Sequence, residues 1–150
     1  MRNNLNAARL VAVLVLSSAL LVACNMLPGA AEDLKVGDCF DLPTETSDIE
    51  EVQHRPCNEP HDAEVIAVLT HPAGPDEAYP VISGFGDYVE ENCLPAFESY
   101  TGRDFASAAE LDVGYLHPTL LGWGEGDRGF SCHALRLDGA KLAASVRAAP

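Results

Sequence analysis

The chain has 150 residues, nine of them basic and 23 acidic, for a formal net charge of −14 with histidine neutral. A surface so acidic repels phosphates and anionic headgroups, which excludes nucleic acid as an expected partner and argues against a domain lying flat on a bilayer. The length suits a single domain able to bury a modest core without help from a partner.

From the N-terminus, Arg2 and Arg9 lead into an apolar run from Leu10 to Val22 with no acidic residue. A membrane-spanning helix needs about 20 apolar residues, so this run has the length of an export-signal core. It closes on Leu21-Val22-Ala23-Cys24, the pattern of a lipobox. Cys24 offers a thiol for diacylglycerol transfer, Leu21 fills an apolar subsite, and the small Ala23 leaves the cleavage point open. Residues 1–23 therefore read as a lipoprotein signal peptide, with lipid-modified Cys24 as the first mature residue and the outer face of the cell membrane as the location. The alternatives are an uncleaved anchor or an ordinary signal peptide with an incidental cysteine. All 23 acidic residues lie after Cys24 and two of the nine basic ones before it, so the mature chain carries seven basic residues and a net charge of −16. A diacylated cysteine supplies two acyl chains, enough for stable anchoring where one would be marginal.

Residues 24–33, small and polar with Pro28 and Gly29, read as a tether, and residues 34–147 as the domain. Export places Cys39, Cys57, Cys93 and Cys132 in an oxidising compartment, where four cysteines form two bridges with three formal connectivities. Cys39–Cys57 is expected because these residues flank a loop between two strand-like segments. Cys93–Cys132 would pin a helix to a strand. A zinc site using Cys57 and His61 is the competing reading, with spacing too loose for a recognised ligand motif.

Leu34 to Leu42 alternates as a short strand does, and Val52 to Cys57 resumes extended structure after an acidic loop. Glu64 to Thr70 is nearly continuous in Val65, Ile66, Val68 and Leu69, as a buried central strand would be. His71 to Pro80 holds three prolines and a glycine, and reads as a loop. The period then changes: Ile82, Phe85, Val89, Cys93, Phe97 and Tyr100 fall on one helical face, with Glu90, Glu91 and Glu98 turned to water. Pro95 predicts a kink or two helical pieces ending near Gly102. Leu111 to Leu116 and Phe130 to Leu137 read as strands, and Pro118 to Trp123 as one helical turn. Asp138-Gly139 predicts a hairpin that brings Leu142 to Val146 back against the preceding strand. The composite is α+β: a small antiparallel sheet of about five strands with a helix packed on one face and two disulfides.

Several of these segments together resemble the septum formation domain family of actinobacteria. They are Val36-Gly37-Asp38-Cys39-Phe40, Pro56-Cys57 with Pro60-His61-Asp62-Ala63-Glu64-Val65, Cys93 with Ala96-Phe97 and Tyr100, and Trp123 with Gly126-Asp127-Arg128 and Cys132. The resemblance implies an exported, membrane-attached, disulfide-bearing domain with a part in cell division or envelope assembly, and envelope or division proteins as partners.

The same segments carry the side chains with chemical potential. His61, Asp62 and Glu64 cluster near Cys57, and a histidine oriented by a carboxylate is a usual general-base arrangement. The cluster serves equally as a turn, with Asp62 accepting backbone amides and His61 satisfying a nearby carbonyl. No serine or cysteine nucleophile accompanies it. The glycine-rich loop around Trp123 lacks the lysine and the strand-to-helix setting of a nucleotide loop, so no cofactor is expected. Trp123 reads as a lid over the core or as an anchor for a partner. Charge complementarity suggests that Asp127-Arg128 pairs with Asp62 and ties two loops together. The expected function is non-enzymatic binding or organisation of envelope components. The rivals are a cell-wall hydrolase, or a hydrolase regulator, using His61 with Asp62 or Glu64, and a metal-carrying lipoprotein.

Overall fold

The computed structural model describes residues 28–44, 49–80 and 82–149. The signal peptide and lipobox, Cys24 included, lie outside the described residues. Six antiparallel strands form one sheet: β1 (Pro28–Ala30), β2 (Cys39–Asp41), β3 (Glu51–Arg55), β4 (Ala63–Thr70), β5 (Leu111–Leu116) and β6 (Gly129–Arg136). Their order across the sheet is β1-β3-β2-β4-β6-β5. Two helices interrupt them, α1 (Ile82–Thr101) and the single turn α2 (Leu120–Gly124). The α+β expectation holds, with one long helix among the described residues and both disulfides formed as expected, Cys39–Cys57 and Cys93–Cys132.

Alternation along the central strands divides the side chains between two faces. Ala67, Cys132 and Tyr115 stand opposite one another across β4, β6 and β5, and the bond from Cys132 to Cys93 in α1 marks theirs as the helix side. One residue along, Val68, Ser131 and Leu116 are aligned in the same way and therefore face the other side. A bulge between Val65 and Ala67 breaks the alternation. It lets the neighbouring Ile66 and Ala67 both join the helix-side core, which is why this strand reads as a continuous apolar run rather than an alternating one.

The helix-side core gathers Phe85, Cys93 and Phe97 from α1 with Trp123, Phe130, Cys132 and others. Phe85, Phe97 and Phe130 are each at most 2 % exposed, and each contributes roughly 1.5–3 kcal/mol through the apolar surface it removes from water. On the opposite face a second cluster packs Phe40 and Val52 of the β2–β3 arm and Leu34 against Ala63 and Val65. There His133 meets the edge of Phe40, with ring centroids 5.5 Å apart.

Three expectations are corrected. The tether was expected to reach Asp33, yet Pro28–Ala30 pairs with β3 and Ala31–Asp33 forms a 3-10 turn, so the folded part begins closer to Cys24. Pro95 does not split the helix: Ile82–Thr101 is one element. Pro95 and Glu91 are both exposed, so the carbonyl deprived of its partner is accessible to water, while Cys93 and Phe97 hold the buried face. Finally, Asp138-Gly139 does turn, with Gly139 at φ 72°, but Leu142 to Val146 forms no strand beside β6. Both edges of β6 are already taken, by β4 and β5. The chain crosses instead to the start of β4, where Leu142 bridges His61 through backbone bonds of 3.1 and 2.8 Å.

Candidate functional site

His61, Asp62 and Glu64 precede or open β4, and each is held by a different part of the chain. His61 is fully buried. Its Nδ1 meets the carbonyl of Glu59 at 2.7 Å, while Nε2 is buried with no hydrogen-bond partner. Asp62 accepts the Leu42 amide at 3.0 Å on one oxygen and the Lys141 ammonium at 2.7 Å on the other. Lys141 also reaches Asp41, which pairs with Arg55 at 2.7 Å. The result is a four-residue charge cluster joining β2, β3, the start of β4 and the C-terminal segment.

Glu64 points to the helix side, since it stands opposite Ala134 in β6, and is 1 % exposed. A buried carboxylate needs its lone pairs satisfied. The hydroxyls of Tyr100 and Ser145 donate to Oε1, and the Val146 amide to Oε2 at 2.7 Å. Burial, followed by the bond to Glu64, pushes the Tyr100 phenol up to about 12, so it stays protonated as a donor near neutral pH. Arg147 completes the arrangement: its Nε donates to the Tyr100 oxygen at 3.1 Å, and its guanidinium lies 4.6 Å from the ring centroid. Glu64 thus clamps residues 145–147 onto the end of α1.

Neither carboxylate orients the His61 ring through a hydrogen bond, so the general-base arrangement is not assembled. Cys39 Sγ, a ring nitrogen of His61 and a carboxylate oxygen of Glu64 do lie within 4.8 Å of one another. With Cys39 bonded to Cys57 and Glu64 holding three donors, the set offers no thiolate and no free carboxylate, and it does not fit a divalent ion in the oxidised protein.

The second group of expected site residues forms a separate structure. Trp123 is 3 % exposed and donates from Nε1 to the Glu77 carbonyl at 2.8 Å. It sits in α2, capped by the Thr119 hydroxyl, which accepts from the Gly122 amide at 3.0 Å. Arg128 stacks over the Trp123 ring, 3.8 Å from its centroid. Its guanidinium donates to the carbonyls of Trp123, Asp127, Ala73, Gly74 and Pro75. Arg128 therefore ties down the proline-rich loop before α1, and the expected pairing with Asp62 is not formed. Asp127 turns back on its own loop, accepting the Gly129 amide at 2.7 Å. Tryptophan and arginine together close the end of the helix-side core.

Lys141, Tyr100 and Ser145 complete these clusters, and of the three only Tyr100 stands in a motif the sequence marks. Ser145 lies in the segment Leu142 to Val146 that reads as a strand and Lys141 just before it, and their reach to β2 and β4 has no sequence signature. Tyr100 had been placed on the helix's apolar face, and its position three residues beyond Phe97 was the available signal.

These features define an α+β domain whose polar motifs serve as joints of the fold, with two disulfides and no helix among the described residues long and apolar enough to cross a membrane. The family model for septum formation matches residues 36–149. The chain belongs to that family, which places it in cell division or envelope work. No curated protein and no solved structure matches the chain.

Proposed function

We propose that the chain is a lipid-anchored, extracytoplasmic member of the septum formation family that acts by binding or organising envelope or division components, without turnover. The observation that carries the non-enzymatic part is the engagement of Asp62 and Glu64. Both carboxylates that flank His61 in sequence are held by other partners, which leaves a hydrolase without an oriented base. Support for the anchor is the lipobox ending at Cys24, four residues before β1.

The test is the distribution of epitope-tagged full-length chain in dividing cells beside a Cys24→Ala version. The expected result is membrane-bound label, accessible from outside and enriched at septa, that is lost with Cys24→Ala. Uniform membrane labelling would count against a division role. Wall-degrading turnover by the purified chain that disappears in His61→Gln while the fold persists would overturn the non-enzymatic reading.

A further inference from the structure

On the sheet face away from α1, a groove of about 560 Å³ runs between the β1–β3 edge and the loop carrying α2. Its size falls within the roughly 300–1,000 Å³ of ligand clefts. Part of its lining is apolar: Leu116, Val68, which is 47 % exposed on a central strand, and Leu121, which is 73 % exposed on α2. Large apolar side chains left open in the middle of a sheet mark a contact surface. Glu32, Glu50, Glu51 and Glu125 also line the groove, no lysine or arginine does, and none of these four carboxylates makes an ion pair among the described residues.

Ser131 of β6 lines the floor of the same groove at 7 % exposure, with its Oγ closed to solvent.

We propose that this groove binds an extended segment of a partner protein in which lysine or arginine alternates with apolar side chains. In an extended chain such residues point to opposite sides. The apolar ones meet Val68, Leu116 and Leu121, and the cationic ones reach the glutamates. The acidic rim repels an anionic bilayer, which is why a protein segment is favoured over the membrane itself. The inference deepens the proposed function by naming the chemistry of the partner. With Cys24 lipidated, Ala30 lies six residues from the anchor, no more than about 20 Å along an extended chain, so the partner segment lies close to the outer membrane face.

The test uses the full lipidated chain in nanodiscs of neutral phosphatidylcholine and a fluorescent, end-blocked hexapeptide of alternating lysine and valine, followed by anisotropy. Binding should saturate and exceed that of the lysine/serine and glutamate/valine counterparts. Neutralising Glu50, Glu51 and Glu125 together to glutamine should weaken it by about tenfold or more and flatten its salt dependence. Leu121→Ser should also weaken it, whereas Glu90→Gln with Glu91→Gln, on the exposed face of α1, should leave it unchanged. Equal weakening by the α1 pair, equal binding of the lysine/serine peptide, or equal binding to empty nanodiscs would overturn the proposal, the last in favour of a lipid contact. Septal enrichment is scored separately. Loss of peptide binding with enrichment intact defeats only the groove, whereas specific binding without enrichment leaves the groove standing and defeats the division role.

Discussion

His133 offers the sharpest test of the packing on the face away from α1. It is 3 % exposed, its Nδ1 has no partner, and burial holds its pKa down to about 4 from an ordinary 6.5. The folded state therefore keeps the ring neutral over a range in which the unfolded chain takes up a proton. Its contribution is complete above the unfolded value of 6.5, declines as pH falls, and stops changing below about 4, where the folded state is protonated as well. A difference of about 2.5 units corresponds to roughly 3 kcal/mol over the whole window, of which about 2 kcal/mol should be lost between about pH 7.5 and pH 5. Denaturant unfolding of the oxidised chain across that range measures it, with His133→Leu for comparison. The variant should lack this part of the slope. His71, whose pKa is also lowered, first by burial and then by Arg128, is only half-buried, so His71→Gln should change the slope much less. An identical slope in wild type and His133→Leu would refute the reasoning.

Three further outcomes are expected. A Cβ at Gly114, which faces His133 across the β5–β6 ladder, would stand 2.2 Å from the buried His133 Nε2. Gly114→Ala should therefore cost about 1–3 kcal/mol, partly recovered when His133→Ala is added, as thermal unfolding of the single and double variants would show. The Cys93–Cys132 bridge spans 39 residues and Cys39–Cys57 spans 18. Replacing both cysteines of the longer loop by alanine should cost about 4 kcal/mol, against about 3 kcal/mol for the shorter, and the reverse order in denaturant titrations would contradict the chain-entropy account. Glu64→Gln puts an amide donor among donors and should cost about 1–3 kcal/mol. It should speed hydrogen exchange at Val146, and unchanged protection there would show that Glu64 does not hold the C-terminal segment.

Much of the local structure was legible in the sequence. The stripe from Phe85 to Tyr100 announces a helix, and the cysteines at its centre and in β6 mark where it meets the sheet. Pro95 misled because the rule against interior proline describes the bond it removes. Tertiary packing of Cys93 and Phe97 outweighs that loss once the freed carbonyl is open to water. On β6, Ser131 and His133 alternate with Phe130, Cys132 and Ala134, the pattern of a strand, yet both are buried. Phe40 of β2 packs against His133, and no local signal in β6 records a strand brought in from the other end of the chain.

The candidate site divides in the same manner. Trp123 reads as a core lid or an anchor and Arg128 as a partner for Asp62, but Arg128 finds its partners in the carbonyls of residues 73–75, more than 50 positions away. Asp62 was legible as a charge in need of a partner, and only the fold supplies Lys141.

By itself the sequence determined most of the elements, a preferred disulfide pairing, the acidic character and the family resemblance, because periodicity, cysteine placement and motif order are read directly along the chain. The tertiary structure alone decided that His61, Asp62 and Glu64 act as joints, that β6 has no free edge for Leu142 to Val146, and that an acid-rimmed groove opens beside Ser131. The physical reason is that a buried polar group takes its role from whichever donor or acceptor the rest of the chain brings within about 3 Å, and that choice is made across the sheet, between residues the sequence keeps far apart.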